Sequence, residues 1–268
     1  CFTMCIIATG AAFVYAQGNM DFSIGSACGV AQMCGAILLL HKGWPMPLAM
    51  LVTILIPVVT CCVVSTIAVV FHVPVFIGSM CVRSLLAGLL TIGVAKQEIV
   101  VPVSNWPIMT NGVFKAIVQV AVIAIGVYLF HFTRIGKWAK AIGGNRNTAK
   151  QAGIKIVQQQ FLAYVLLGLC VGIAGVFQLF RNSTVSMGSG SGIEFNIMLA
   201  VVLGGFPMSG GDKATLPAAV IGAITATLLT NGLSMWGLEP SLVNGVKGLI
   251  FVIMIGLSYD RSAGKLVT

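Results

Sequence analysis

Long apolar runs cut by short polar breaks make up most of this chain, with little of the alternation that marks half-buried strands. Residues 1–16, 22–40, 48–71, 75–95, 113–130, 156–180, 214–233 and 241–259 are each dominated by apolar and small side chains. One helix needs about 20 such residues to cross the hydrocarbon core, and these runs meet or approach that length. Lys42, Pro45 and Pro47 punctuate 41–47, His72–Pro74 makes a second break, and 96–112 carries Pro102 and Pro107. Pro57 lies inside the third run, where it predicts a kink. The last third has another texture. Arg181–Gly192 is rich in Ser and Gly, Glu194–Leu203 is too short to span comfortably, and GGFPMSGGD at 204–212 is a turn signal. The pattern predicts an all-α fold, a polytopic transmembrane helix bundle of about eight to ten membrane segments, with a short or broken helix near 193–204. The first run opens without an initiator Met or a polar flank, so residues 1–16 read as a truncated span and 1–268 as a single transmembrane domain.

Composition excludes a soluble enzyme. Of 268 residues, 58% are hydrophobic and 8% charged, against roughly 25% charged in globular domains, and the mean hydropathy is +1.03. The net charge of +9 does not point to nucleic acid, because Lys and Arg gather at span ends. The longest polar run, AIGGNRNTAKQAGI at 141–154, has Arg134, Lys137, Lys140, Arg146, Lys150 and Lys155 in or beside it and no Asp or Glu. Basic residues are retained on the cytoplasmic side, so the 134–155 loop is expected there and orients the rest. Alternate counting then puts 96–112, 181–192 and 231–240 outside, and 204–213 and the C-terminus inside. The balanced pair Lys96 and Glu98 suits the outer loop, and Arg261 and Lys265 suit an inner C-terminus. Within the basic loop, Asn145 or Asn147 is a candidate N-cap, Thr148–Ala152 a short helix and Gly153 its left-handed stop. A surface helix between two spans is a handle for another protein.

Candidate chemistry is sparse. The eight cysteines, Cys1, Cys5, Cys28, Cys34, Cys61, Cys62, Cys81 and Cys170, lie in apolar runs without paired C-x-x-C spacing and read as small buried hydrophobes. His41, His72 and His131 sit at separate span ends, so no metal site is expected. GSGSG at 188–192 and GGFPMSGG at 204–211 are not followed by the Lys-Ser/Thr of a phosphate loop, and they read as turns and close packing. A charge inside a span costs about 3 kcal/mol and needs a reason. Arg83, in MCVRSLL, is such a charge, either structural or in contact with solute. Asp21 reads as a cap for the following helix, with Gly25, Ser26 and Gly29 allowing close packing, or as the polar end of a broken helix. Arg181 and Glu194 bracket the Ser/Gly stretch, where they form a salt bridge or receive a binding protein.

Three segments carry a resemblance to a known family. G-G-N-x-x-x-A-x-x-x-G-I at Gly143–Ile154 resembles the cytoplasmic coupling loop in membrane subunits of ribose-type ABC importers, within the branched-chain amino acid/ribose permease superfamily. GNMDFSIGS at 18–26 resembles that family's G-x-x-D-L-S-x-G-S segment, and 193–211 resembles its E-L-x-x-I-A-x-V-x-L-G-G-x-x-x-x-G-G segment. The resemblance implies a permease of the bacterial cytoplasmic (inner) membrane that passes a small neutral solute inward, ribose or another monosaccharide. It implies no catalytic residue, metal or cofactor on this chain, with ATP and Mg on a partner ATPase. The implied partners are a second permease copy (homodimer or close paralogue), a cytoplasmic ATP-binding subunit, an extracytoplasmic solute-binding protein and membrane lipid. It also implies ATPase docking through Gly143, Gly144, Asn145, Arg146, Thr148, Ala149, Gly153 and Ile154, a pathway or gate involving Asp21, Ser23, Arg83, Glu194 and Asn196, and a binding-protein contact at Arg181. Two positions depart from the pattern. The family often has Arg beside the glycine corresponding to Gly88, where Ala87 stands here and Arg83 lies four residues earlier on the same helix face. Asn196 stands where the family commonly has Asp. Nucleoside, autoinducer and branched-chain amino acid permeases share the loop and the Gly-rich turn and stay open. So do a secondary transporter or channel without an ATPase and a receptor that moves nothing.

Overall fold

The computed structural model describes residues 2–40, 42–95, 98–101, 111–207 and 209–258; expectations resting on His41, Lys96, Pro102, Pro107, Arg261, Lys265 or Cys1 fall outside them. At the centre stands α1 (Phe2–Ala16), buried over almost its whole surface. A helix that is apolar all round belongs in the middle of a bundle. Helix α2 (Ile24–Leu40) follows after a short connection, then α3 (Met46–Val70), which runs unbroken through Pro57, and α4 (Val75–Val94). Strand β1 (Ile99–Val100) precedes α5 (Gly112–Phe132), a peripheral helix with only Gly126 and Phe130 buried. Helices α6 (Arg134–Gly144) and α7 (Arg146–Gln151) lead to the longest helix, α8 (Ile156–Asn182), and then to strand β2 (Thr184–Val185). The chain continues as α9 (Ile193–Leu203), α10 (Leu216–Met235) and α11 (Pro240–Ser258).

Among the described residues α3, α4, α5, α8 and α10 are long and apolar enough to cross a membrane. The shorter apolar helices are α1, α2, α9 and Ser241–Met254 within α11. Together they form the expected polytopic helical bundle, short ninth helix included. Helix α8 packs chiefly on α3 and α1. At Gly168 and Gly172 a Cβ would come within 2.5 Å of Val58 Cα and 2.6 Å of Ile54 Cα, so the α3 and α8 backbones meet only because those side chains are missing. In lipid, close backbone approach of this kind replaces the hydrophobic drive between helices. Hydroxyls within the helices bond backward along their own backbone, as Thr9 to the Cys5 carbonyl (2.9 Å), Thr53 to Ala49 (2.8 Å) and Thr227 to Ala223 (2.7 Å). A polar group in hydrocarbon has no water to turn to.

Two connections differ from expectation. The 134–155 stretch, read as a loop around one short helix, contains two helices: α6 buries Gly136, Ala139 and Ile142 at three-residue spacing and turns its Lys residues outward or along the edge. The Thr133 hydroxyl caps α6 by accepting the Ile135 N–H at 3.3 Å. The 181–192 stretch is not a free outer loop. Its β2 residues pair antiparallel with β1, Val185 opposite Ile99, and Ser189 and Gly190 then pack against the first turns of α2. At the other end of the bundle three connections meet: the Ala16 carbonyl accepts the Gly211 N–H at 3.0 Å and touches Gly143, while the Gln17 amide donates to the Gln159 carbonyl at 3.1 Å.

Candidate functional site

The polar centre of the bundle is the first turn of α9. Gly192 takes the left-handed conformation (φ 79°) that turns the chain into this helix. Three successive residues of that turn then reach α4, the connection before α2, and α11. Glu194 is 2% exposed and faces Arg83 of α4, whose Nη2 lies 2.7 Å from Glu194 Oε1. The two opposite charges are in direct contact. Glu194 also sits at the positive end of the α9 dipole. Phe195 meets the Phe22 ring edge-on at 5.8 Å, and the Arg83 guanidinium lies 5.7 Å from its centroid. Asn196 Oδ1 accepts from Lys247 Nζ of α11 at 3.1 Å. The turn is therefore flanked by two cations, one from each side.

Helix α2 closes the site from the third side. A Cβ at Gly25 would collide with the Glu194 carboxylate and the Gly190 carbonyl, and one at Gly29 with the Ser189 carbonyl, so both glycines are required by the Ser/Gly turn that feeds α9. Asp21 is buried in the connection before α2. Its Oδ1 accepts from both the Ser23 N–H and the Ser23 hydroxyl at 2.7 Å, while Oδ2 has no protein partner. This corrects the expected helix cap: Asp21 closes a turn on Ser23, and Ser23, whose carbonyl receives the Ala27 N–H, stands at the start of α2. The connection is tied to α4 by the Phe22 N–H, which donates to the Ser79 hydroxyl at 3.1 Å. Among the described residues Glu194 Oε2 and the Tyr164 hydroxyl are likewise buried without a partner.

The basic connection lies at the end where Ala16, Gly143 and Gly211 meet. Asn145 is the cap of α7: its Oδ1 accepts from the Asn147 and Thr148 N–H groups at 3.0 and 3.1 Å. Asn147 sits inside the helix, and Gly153 follows at φ 81°, the stop its position predicts. Ala149 is the buried residue of α7, whereas Arg146, Asn147 and Lys150 face a cavity of about 1270 Å³ shared with Asn19, His72, Ile154 and Lys155. Gly144 is open, with nothing near its missing Cβ.

Several expectations are corrected or completed here. Glu194 pairs with Arg83 and not with Arg181, which is exposed at the end of α8. Of the cysteines, Cys5, Cys28 and Cys61 are buried, but Cys81 is exposed on α4, so not all of them fill the core. Lys247 is a further site residue, and as a lone cation inside GVKGLIF it carries the same sequence signal that singles out Arg83. What sequence does not reveal is its partner.

A many-helix membrane protein with a short helix whose polar first turn contacts several others, and with a separate basic surface helix, has the make-up of a transport subunit. A family model described as branched-chain amino acid transport system / permease component matches residues 1–255, and the chain belongs to that family. It is an ABC importer permease, a multi-pass protein of the bacterial inner membrane that works with a separate ATPase and a solute-binding protein. The chain is similar to the probable ABC transporter permease protein YphD of Escherichia coli (strain K12), 26% identical over 265 residues, covering 94% of this chain and 77% of that one. It is similar to the ribose import permease protein RbsC of the same strain, 32% identical over 128 residues, a match covering 48% of this chain and 40% of that one. The fructose import permease protein FruG of Bifidobacterium longum is 24% identical over 268 residues, covering 94% and 78%. No solved structure matches the chain.

Proposed function

We propose that this permease carries a monosaccharide inward, ribose or a sugar of similar size, as one of two copies flanking a central pathway. The relatives named for ribose and fructose import support a sugar. So does the pairing of Arg83 with Glu194, which leaves neither of those two charges free to hold an ionic solute. Docking of the ATPase on Gly143, Gly144, Asn145, Arg146, Thr148, Ala149, Gly153 and Ile154 is part of the same reading, as are contacts of the solute-binding protein near Arg181 and of lipid with the outer helix faces.

The observation that carries the mechanism is the meeting at Ala16. Gly143, at the end of α6, rests on the Ala16 carbonyl, and that carbonyl also holds Gly211 in the turn that follows α9. A push on α7 by the ATPase thus reaches, through one shared backbone group, the turn at the foot of the short helix. Tilting α9 against α2 and α4 shifts the bundle between two arrangements, biased by nucleotide on one side and by the loaded receptor on the other.

The test is uptake of labelled ribose by vesicles holding permease, ATPase and receptor. Asn145→Ala combined with Gly153→Val removes the cap and forces a β-branched residue into a left-handed backbone, costs of about 1 kcal/mol and 1–2 kcal/mol. The expected result is lost ATPase association or hydrolysis without uptake, with the spans still inserted. Normal uptake in that variant overturns the docking surface, and uptake by the permease alone overturns the mechanism.

A further inference from the structure

Between α9 and α11 lies a second cavity, of about 330 Å³, lined by Phe195, Asn196, Asn244, Lys247, Gly248 and Phe251 among others. We infer that it is a solute station on the transport route, taking a single neutral sugar ring, with Lys247, Asn196 and Asn244 binding hydroxyls and the two phenyl rings flanking the carbon skeleton. The inference rests on the sugar reading above and names the residues that meet the sugar.

Lys247 carries the argument. It sits midway along the apolar helix α11, half-buried, and among the described residues the one ion pair is Arg83 with Glu194, so no carboxylate there compensates it. A cation among apolar helices is tolerated where its head group reaches a cavity and a polar partner, here Asn196, and such residues mark solute routes in membrane proteins. Lys247 Nζ has three donors, of which one goes to Asn196 Oδ1. Among the described residues no partner takes the others, which are left for a ligand. Because Asn196 spends its oxygen on Lys247, its NH₂ group is also left to donate, and Asn244 brings both a donor and an acceptor. Few convergent polar groups on a largely apolar wall is the usual make-up of a small-molecule site, and 330 Å³ is near the lower end of the roughly 300–1,000 Å³ such sites span. That suits one ring.

The same lining argues for a neutral solute. Phenyl rings carry negative faces that suit C–H groups and disfavour an anion. An anion held by an uncompensated lysine would also leave more slowly than hydroxyls held by Lys247 and two amides, which are released at modest cost. The cavity adjoins Gly192, so the turn that begins α9 lies at its edge. A tilt of α9 would change the distance between Asn196 and Lys247 and with it the shape of the station.

The test uses the full complex of permease, ATPase and receptor in proteoliposomes. Lys247→Gln is expected to lower the maximal rate of ribose uptake about tenfold, the size of a lost charged hydrogen bond. In a second variant, Asn244→Cys, alkylation by a water-soluble maleimide is compared with the parent chain. Ribose at saturating concentration is expected to slow that alkylation, and ribonate, its carboxylate analogue, is not. Parental uptake by Lys247→Gln, or alkylation unaffected by ribose, overturns the station while the sugar reading stands. Stronger protection by ribonate overturns the neutral class. If the parent complex moves no monosaccharide, the sugar reading falls and this inference with it.

Discussion

Arg83 and Glu194 set the residue scale. Glu194 is buried, Arg83 keeps 30% of its side chain exposed, and the pair joins α4 to α9 together with the stacking of Arg83 on Phe195. Replacing Arg83 by Met leaves a carboxylate uncompensated, and removing one partner of a buried pair costs about 3–5 kcal/mol. The partial exposure of Arg83 puts the expected loss at the low end, about 3 kcal/mol. Adding Glu194→Gln should recover much of it, because a neutral amide at that place needs no counter-charge. Thermal unfolding of the detergent-solubilised protein in a double-variant cycle checks this, and strictly additive losses would contradict direct pairing. In the sequence Arg83 was conspicuous as a charge among apolar neighbours, and Glu194 as the acid before a short helix. Nothing local says that they meet. The nearer candidate for Glu194 was Arg181, and it is the folding of 186–192 back over α2 that takes Glu194 away from it.

Elements are joined here by missing side chains as much as by present ones. Gly25 and Gly29 on α2 leave room for the carbonyls of the 189–190 turn, and Gly25 also leaves room for the Glu194 carboxylate. Gly25→Ala is therefore expected to destabilise by about 1–3 kcal/mol, the usual penalty for overfilling a packed contact. Gly88→Ala, on an open face of α4, should be silent. Yield of monodisperse protein from detergent and its melting temperature separate the two; equal behaviour would mean that α2 does not pack on the turn as described. The small residues of 22–29 were legible as close-packing signals, whereas their counterpart was not, since a Ser/Gly stretch between two helices looks locally like any surface loop. The same limit applied to 134–144. Its glycines and lysines read as loop, yet Ile142, Ala139 and Gly136 found a face to bury against and the segment became helical.

At the scale of the whole molecule the two ends of the bundle differ in chemistry. Arg146, Lys150 and Lys155 surround the large cavity beside α7, while the β1–β2 pair ties the connections after α4 and α8 together at the other end. A cysteine placed at Asn147 should react with an impermeant thiol reagent only after the cells are opened, and one placed at Met187, which is 53% exposed, should react in intact cells. Labelling of Asn147→Cys from outside would invert the orientation on which coupling depends.

The class of protein was determined by sequence alone, because the length of an apolar run, a cluster of unbalanced Lys and Arg, an Asn cap and a Gly stop act within a few residues of themselves. The bilayer enforces the rest of that reading by requiring each run to be helical. Only tertiary structure decided who meets whom: Arg83 with Glu194, Lys247 with Asn196, and Ala16 with both Gly143 and Gly211. Such partners lie far apart along the chain, and in a bundle of near-uniform apolar helices their meeting is set by where glycines let backbones come close, which no single helix determines for itself.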